Sequence, residues 1–106
     1  MTSLEKTILD RFKQLVLARL PLHQMILFGS RARGDADPDS DMDVLVVLED
    51  SARPQAGEIV SDCAWEAGFE HGIVVASLTV RRREWEEGPL SSSLLAIAVG
   101  AEGVLV

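Results

Sequence analysis

With 106 residues, the chain has room for one domain with a modest core. Apolar residues make up 47% of the chain and charged residues 25%, which is typical of an ordinary globular protein. The net charge of −7 argues against a general nucleic-acid binder, which normally presents a basic face. No apolar run approaches the ~18 residues of a membrane span. We therefore expect no membrane association. The single cysteine, Cys63, allows no internal disulfide, so we expect a cytoplasmic protein.

The first predicted element is an amphipathic helix. Apolar side chains recur at helical spacing between residues 4 and 16, with charged residues such as Glu5 between them. Thr2 or Ser3 is expected to cap this helix, and Pro21 to end it. A short buried strand is then predicted at 25–28.

A polar loop and a second strand follow. The segment 29–40 holds too many Asp, Gly and Pro residues for a long regular element, although 31–33 could begin a helical turn. An apolar run then predicts a strand at 41–48.

The remaining chain alternates helices and strands. A helix is predicted at 55–68, with Cys63 on its inner face and Gly68 as its C-cap. A strand rich in β-branched residues is predicted at 73–80. The last predicted elements are a helical turn at 81–87, a helix that Ser91 to Ser93 could cap and that runs through Val99, and a short tail at 103–106. This alternation implies an α/β or α+β fold, with helices packed on a sheet.

Two acidic residues open the second predicted strand. Asp41 and Asp43 are two positions apart, so the alternation of a strand places both side chains on one face, with Cα atoms roughly 7 Å apart. Carboxylates at that separation can bind hard cations, and Mg²⁺ prefers a few carboxylates completed by waters and phosphates. The alternative is a solvated acidic loop.

The turn after the first predicted strand has features of a phosphate site. Gly29 would let a phosphate approach the backbone closely, and the hydroxyl of Ser30 could bind it. Arg31 and Arg33 could neutralise phosphate oxygens, or could be surface residues that pair with nearby aspartates. The segment does not satisfy the P-loop or EF-hand patterns, and the chain has no G-x-G-x-x-G.

The combination of Gly29-Ser30, ten further residues and Asp41-x-Asp43, between two apolar strands, resembles the GS-x10-DxD pattern of minimal nucleotidyltransferase (MNT) domains. These domains belong to the DNA polymerase β-like superfamily. The resemblance extends over residues 1–106 as one MNT domain. It implies the polymerase β-like nucleotidyltransferase fold, a mixed β-sheet flanked by helices. It also implies that Asp41 and Asp43 are catalytic residues that bind Mg²⁺, and that the Gly-Ser turn binds the triphosphate of ATP or another nucleoside triphosphate.

The function implied by the resemblance is transfer of AMP from ATP to a protein acceptor. Many MNT proteins are antitoxins paired with a HEPN-domain toxin, so a HEPN partner is expected, and self-association is left open. One departure concerns the third carboxylate that family members usually supply from a later strand, because the predicted strand 73–80 has no acid. The alternative is therefore a catalytically weak or inactive MNT-fold protein that acts by binding a partner. An antibiotic-modifying nucleotidyltransferase is less favoured, because 106 residues leave little room for a substrate-binding extension.

Three aromatic side chains have two interpretations. Trp65, Phe69 and Trp85 belong either to the core or to a surface that contacts a partner, and exposure would favour the latter.

Overall fold

A computed structural model describes residues 1–106, the whole chain. In chain order, its elements are α1 (Ser3–Leu17), β1 (Leu22–Phe28), α2 (Ser30–Arg33), β2 (Met42–Leu48), α3 (Ala56–Phe69), β3 (Val75–Arg81), α4 (Arg82–Glu86), a 3-10 helix (Pro89–Ser92), α5 (Leu94–Glu102) and β4 (Val104–Leu105). None of these helices combines the length and the apolar character that a membrane crossing requires.

The four strands form one mixed sheet in the order β3-β2-β1-β4. Strand β1 is antiparallel to both β2 and β4, whereas β2 and β3 are parallel. Helix α3 connects the two parallel strands, as a parallel pair requires. The predicted mixed sheet flanked by helices is therefore confirmed.

Strand β2 lies at the centre of the sheet and is buried on both faces. Met42, Val44 and Val46 face a core that is completed by α1 and α3. Leu45 and Val47 face a second, smaller core on the other side, to which α5 contributes Val99. Burial on both faces explains why the strand is an unbroken apolar run after Asp43.

Helix α1 begins with a capping box. The hydroxyl of Thr2 accepts a hydrogen bond from the backbone N–H of Glu5, and the carboxylate of Glu5 accepts one from the backbone N–H of Thr2. Thr2 is thus the N-cap, one of the two predicted candidates. The amphipathic pattern places the charged Glu5 on the solvent face, but this residue is buried and only 4% exposed. The helix ends at Leu17, before Pro21.

Two predictions about the later elements are wrong. Helix α3 continues through Gly68 to Phe69, and Glu70 is its C-cap. Gly68 is needed instead because the carbonyl oxygen of Ile73 occupies the space that a Cβ atom would take. The predicted tail contains strand β4, which pairs with β1. Two residues are too few for a periodic signal, so sequence reasoning could not find this strand.

Candidate active site

The turn between β1 and α2 places a glycine against an aspartate. Phe28 pairs with Asp43 in the register of β1 and β2, so Gly29 follows directly beside that carboxylate. Gly29 has a φ of +78°, a conformation that side chains rarely adopt. A Cβ atom at this position would overlap Oδ2 of Asp43. The absence of a side chain therefore lets the turn and the carboxylate touch.

The two predicted aspartates lie at the start of β2. Asp41 is exposed and immediately precedes the strand, whereas Asp43 lies within the strand and is half-buried. Alternation places Asp43 on the face of Leu45, away from α1 and α3. Burial raises the pKa of Asp43, the negative charge of Asp41 raises it further, and the positive charge of Arg33 opposes both effects. The strand thus holds a carboxylate whose charge a bound cation would stabilise.

Arg31 is buried and holds the loop that leads to Asp41. Its guanidinium pairs with the carboxylate of Glu5, with Nη1 3.2 Å from Oε2. It also donates to the carbonyl oxygen of Ser40 from Nε and Nη2, at 2.9 and 2.7 Å, and to that of Pro38 from Nη2, at 2.9 Å. These contacts engage the guanidinium within the chain and argue against the predicted phosphate contact for Arg31.

The same contacts explain why the carboxylate of Glu5 is charged although it is buried. Burial raises the pKa of Glu5, but the hydrogen bonds from Thr2 and Arg31 and the charge of Arg31 outweigh it, so that its pKa lies below the ordinary value. A charged pair is therefore maintained beneath the loop. The segment between Arg31 and Asp41 is fixed to helix α1 by this pair.

Arg33 is exposed and remains next to the Gly-Ser turn. Its Nη1 donates to both carboxylate oxygens of Glu102, at 3.2 and 3.1 Å, and its Nε donates to Asp35 at 3.3 Å. The hydrogen bond to Glu102 is the main reason that the pKa of Arg33 is raised. Its charge also reaches Asp43, so Arg33 stays a candidate for phosphate binding.

Glu102 was missed by the sequence reasoning. It is the last residue of α5, and its Oε1 accepts a hydrogen bond from the backbone N–H of Gly29 at 3.2 Å. The carboxylate therefore contacts two groups, the Gly29 N–H and the Arg33 guanidinium, that the sequence suggested for a phosphate. No local signal identifies this residue, because it lies 73 positions from its backbone partner.

No third carboxylate joins the aspartate pair. In the register of β2 and β3, Ala76 is the neighbour of Asp43, and Val75 is the neighbour of Met42. No group of three His, Cys, Asp or Glu side chains in the chain is arranged to hold a metal ion. The two aspartates offer only oxygen atoms, a donor set that fits a hard divalent cation completed by waters and phosphate oxygens.

Comparison with known proteins places this chain in a family. Residues 5–96 match the family model of the nucleotidyltransferase domain. A protein of Methanocaldococcus jannaschii that carries the provisional name of protein adenylyltransferase is 30% identical over 61 residues, which are 58% of this chain and 62% of that protein. The match thus spans less than two thirds of the relative.

Solved structures share the fold. The crystal structure of a toxin–antitoxin with AMP-PNP has a TM-score of 0.57 at 20% identity, over 91% of this chain and 69% of that chain. A mutant of the toxin–antitoxin pair MntA–HpeT has a TM-score of 0.56 at 20% identity, over 98% and 72% of the two chains. The predicted nucleotidyltransferase fold is confirmed by these structures, and the chain belongs to the nucleotidyltransferase domain family.

Proposed function

We propose that this protein is a Mg²⁺-dependent nucleotidyltransferase that transfers AMP from ATP to a protein acceptor. The observation that carries the proposal is the contact between the Gly29 turn and the carboxylate of Asp43. This contact supports the proposal because it joins, at one end of the sheet, the turn that would bind phosphates and the carboxylate that would bind a cation. A nucleoside triphosphate with its metal ion needs both sites at once.

Each residue of the site has a role in this proposal. Asp41 and Asp43 hold the ion, which neutralises phosphate charge and orients the phosphates when it is bound. The Gly29 backbone and Ser30 hold the triphosphate, and Arg33 adds positive charge beside it. An oxygen of the acceptor forms a bond to the α-phosphorus, the bond from that phosphorus to the bridging oxygen breaks, and pyrophosphate leaves. The proton of the acceptor needs a base that β3 does not supply.

The comparisons support the choice of nucleotide and acceptor. The name of the M. jannaschii relative favours transfer of AMP to a protein. The two structural neighbours are toxin–antitoxin proteins, one of them with AMP-PNP, which favours an antitoxin that uses ATP. The HEPN identity of the partner rests on the resemblance to MNT antitoxins, and we propose a HEPN-domain toxin as the partner and the acceptor.

A second candidate function is neutralisation of the toxin by binding alone. It is favoured by the position of Ala76. This residue is the neighbour of Asp43 on β3, where a carboxylate would join Asp41 and Asp43 as a third acidic side chain. A general base typically contributes ~10²–10⁴-fold to a rate, so its loss would leave slow chemistry or none.

A labelling experiment tests the first candidate. The protein is incubated with a candidate HEPN-domain partner, Mg²⁺ and ATP labelled in the α-phosphate. Label should pass to the partner with the wild type and should be lost with Asp41→Asn/Asp43→Asn. Asp37→Asn/Asp39→Asn is the matched control, because both of these residues are exposed in the same loop and the change in charge is the same.

The outcome also separates the two candidates. Label transfer that survives Asp41→Asn/Asp43→Asn would refute the proposed site. The binding candidate requires that Asp43→Asn still neutralises the toxin in cells, so a loss of neutralisation in that variant would count against it.

A further inference from the structure

A stacked aromatic pair lies exposed on helix α3. Trp65 and Phe69 are 66% and 65% exposed, and their ring centroids are 4.6 Å apart with an interplanar angle of 25°. They line a cavity of about 490 Å³ between α3 and β3, here named the α3–β3 groove. Its other lining residues are Ser61, Gly72, Ile73, Val74, Val75 and Ser77. Large exposed aromatics beside an apolar cavity are typical of a binding surface.

The strand that borders the groove is an unprotected edge. Strand β3 is the outermost strand of the sheet, with only β2 paired to it. Apart from Arg81 at its end, it carries no charged residue and no proline. Edge strands normally have such residues because they prevent unwanted pairing. Most of this edge is therefore open to pairing with a partner.

An acidic stripe runs beside the stacked aromatic pair along the exposed side of α3 and onto its C-cap; it is defined as Glu58, Asp62, Glu66 and Glu70. These residues are spaced four apart, so they extend about 18 Å along the helix axis. Helix α3 contains no Lys or Arg, and in the stripe only Glu66 forms an ion pair, with Arg11 at 3.4 Å. Like charges at this spacing destabilise a helix. The stripe would be stabilised by an external positive charge.

We propose that the α3–β3 groove binds a basic segment of a partner protein that inserts large apolar side chains beside Trp65 and Phe69. The apolar cavity accommodates the apolar side chains, and the acidic stripe next to it attracts Lys or Arg residues of the same segment. The length of the stripe favours a polypeptide over a small molecule. Its charge disfavours nucleic acid and anionic lipid.

A second copy of the chain is a poorer occupant. A two-fold dimer presents the same patch on both subunits, so two acidic stripes would be brought to one interface. Each chain also carries a net charge of −7. Charge complementarity therefore selects a basic partner.

The groove and the candidate active site lie on different faces of the sheet. Helix α3 packs on the face of Met42 and Val44, whereas Asp43 lies on the face of Leu45. The two surfaces can therefore be tested independently, and failure of one proposal does not imply failure of the other.

The test uses a fluorescein-labelled peptide with Lys and Leu at helical spacing, and a second peptide in which Glu replaces Lys. Fluorescence anisotropy should show binding of the basic peptide, with an affinity about tenfold or more above that of the acidic one. In Trp85→Phe protein, Trp65 is the only remaining tryptophan, and its emission should shift to the blue as the peptide covers it.

Two matched pairs of substitutions decide whether the groove is the site. Trp65→Ala/Phe69→Ala should weaken binding of the basic peptide about tenfold or more. Leu94→Ala/Ile97→Ala removes side chains that are 85% and 64% exposed on α5, and should leave binding unchanged. All four side chains are exposed, so the variants should fold.

A triple substitution tests whether the acidic stripe is needed for binding of the basic peptide. Glu58→Gln/Asp62→Asn/Glu70→Gln should weaken binding of the basic peptide and reduce its dependence on salt. Uptake of Mg²⁺–ATP should be unchanged in Trp65→Ala/Phe69→Ala.

Three results would overturn the inference. The first is equal loss of binding in Trp65→Ala/Phe69→Ala and Leu94→Ala/Ile97→Ala. The second is full binding in the charge variant. The third is self-association of the wild type in sedimentation velocity that Trp65→Ala/Phe69→Ala abolishes, because the groove would then bind a second copy.

Discussion

Gly29→Ala tests the contact on which the candidate site depends. The substitution has two costs. With a φ of +78° and a ψ of −159°, Gly29 lies in a region of backbone conformation that is essentially restricted to glycine, and an alanine there is strained by about 1–3 kcal/mol. Its Cβ atom would also overlap Oδ2 of Asp43, and overpacking of this kind typically costs about 1–3 kcal/mol. The carboxylate of Asp43 has to move, so the candidate metal site is disturbed together with stability.

Gly34→Ala is a control for a positive φ without an overlap. Gly34 has a φ of +83° and a ψ of 12°, which is the left-handed helical region, and a Cβ atom there would meet nothing within 4 Å. This variant therefore carries only the milder strain of that region, about 1–2 kcal/mol. We expect Gly29→Ala to be less stable than Gly34→Ala by at least the cost of the overlap, about 1–3 kcal/mol.

Chemical denaturation measures the stability difference, and calorimetric titration measures uptake of Mg²⁺–ATP. Gly29→Ala should weaken uptake about tenfold or more, whereas Gly34→Ala should change it by less than about threefold. If the two variants have equal stability and equal uptake, the carboxylate of Asp43 does not lie against the turn, and the reasoning is wrong.

Three further predictions concern charged residues. Arg31→Lys should release the loop before Asp41 and weaken Mg²⁺–ATP uptake in calorimetry. Arg81→Lys is the control, because Arg81 also donates to backbone carbonyl oxygens, those of residues 50 and 52, and this change should leave uptake unaltered. Equal effects of the two changes would contradict the positioning role of Arg31. Glu5→Gln should cost about 3 kcal/mol near neutral pH, because it leaves Arg31 buried without its charged partner. Folding lowers the pKa of Glu5, so this stability difference is present above the ordinary pKa of a glutamate and should shrink as the pH falls through the lowered pKa. Denaturation curves that give a constant difference from neutral to strongly acidic pH would refute this prediction. Glu102→Gln should tighten Mg²⁺–ATP binding, because it removes the charge that competes with phosphate for the Arg33 guanidinium, and weaker binding would show that Glu102 supports the site instead.

The longer helices and strands could be predicted from the sequence because they have strong periodic patterns. The buried face of α3, with Cys63 on it, and the apolar run of β2 are of this kind. The ends of the elements were less predictable, since they depend on contacts between distant segments. Gly68 reads as a C-cap in isolation, yet the helix continues through it because the carbonyl of Ile73 packs against it.

The two halves of the candidate site could be predicted because each lies at one end of a β-strand. Gly29 comes after β1, and the aspartates stand at the start of β2, so pairing of the two strands is enough to bring them together. The charged partners could not be predicted in this way. Arg31 and Arg33 look alike in the sequence, but one is buried by Glu5 and the other is exposed beside Glu102.

The distances along the chain explain the difference between these two cases. The partners of Arg31 and of the Gly29 N–H lie 26 and 73 residues away. No local pattern encodes contacts of such separation, so only the folded structure assigns one arginine to the scaffold and leaves the other at the site.

Calorimetric titration of Mg²⁺–ATP into the wild type is the strongest single test of the proposed metal–nucleotide site. We expect saturable uptake that requires Mg²⁺, is lost in Asp41→Asn/Asp43→Asn and is retained in Asp37→Asn/Asp39→Asn. Absence of uptake by the wild type, or uptake that survives loss of both strand aspartates, would contradict the proposed site.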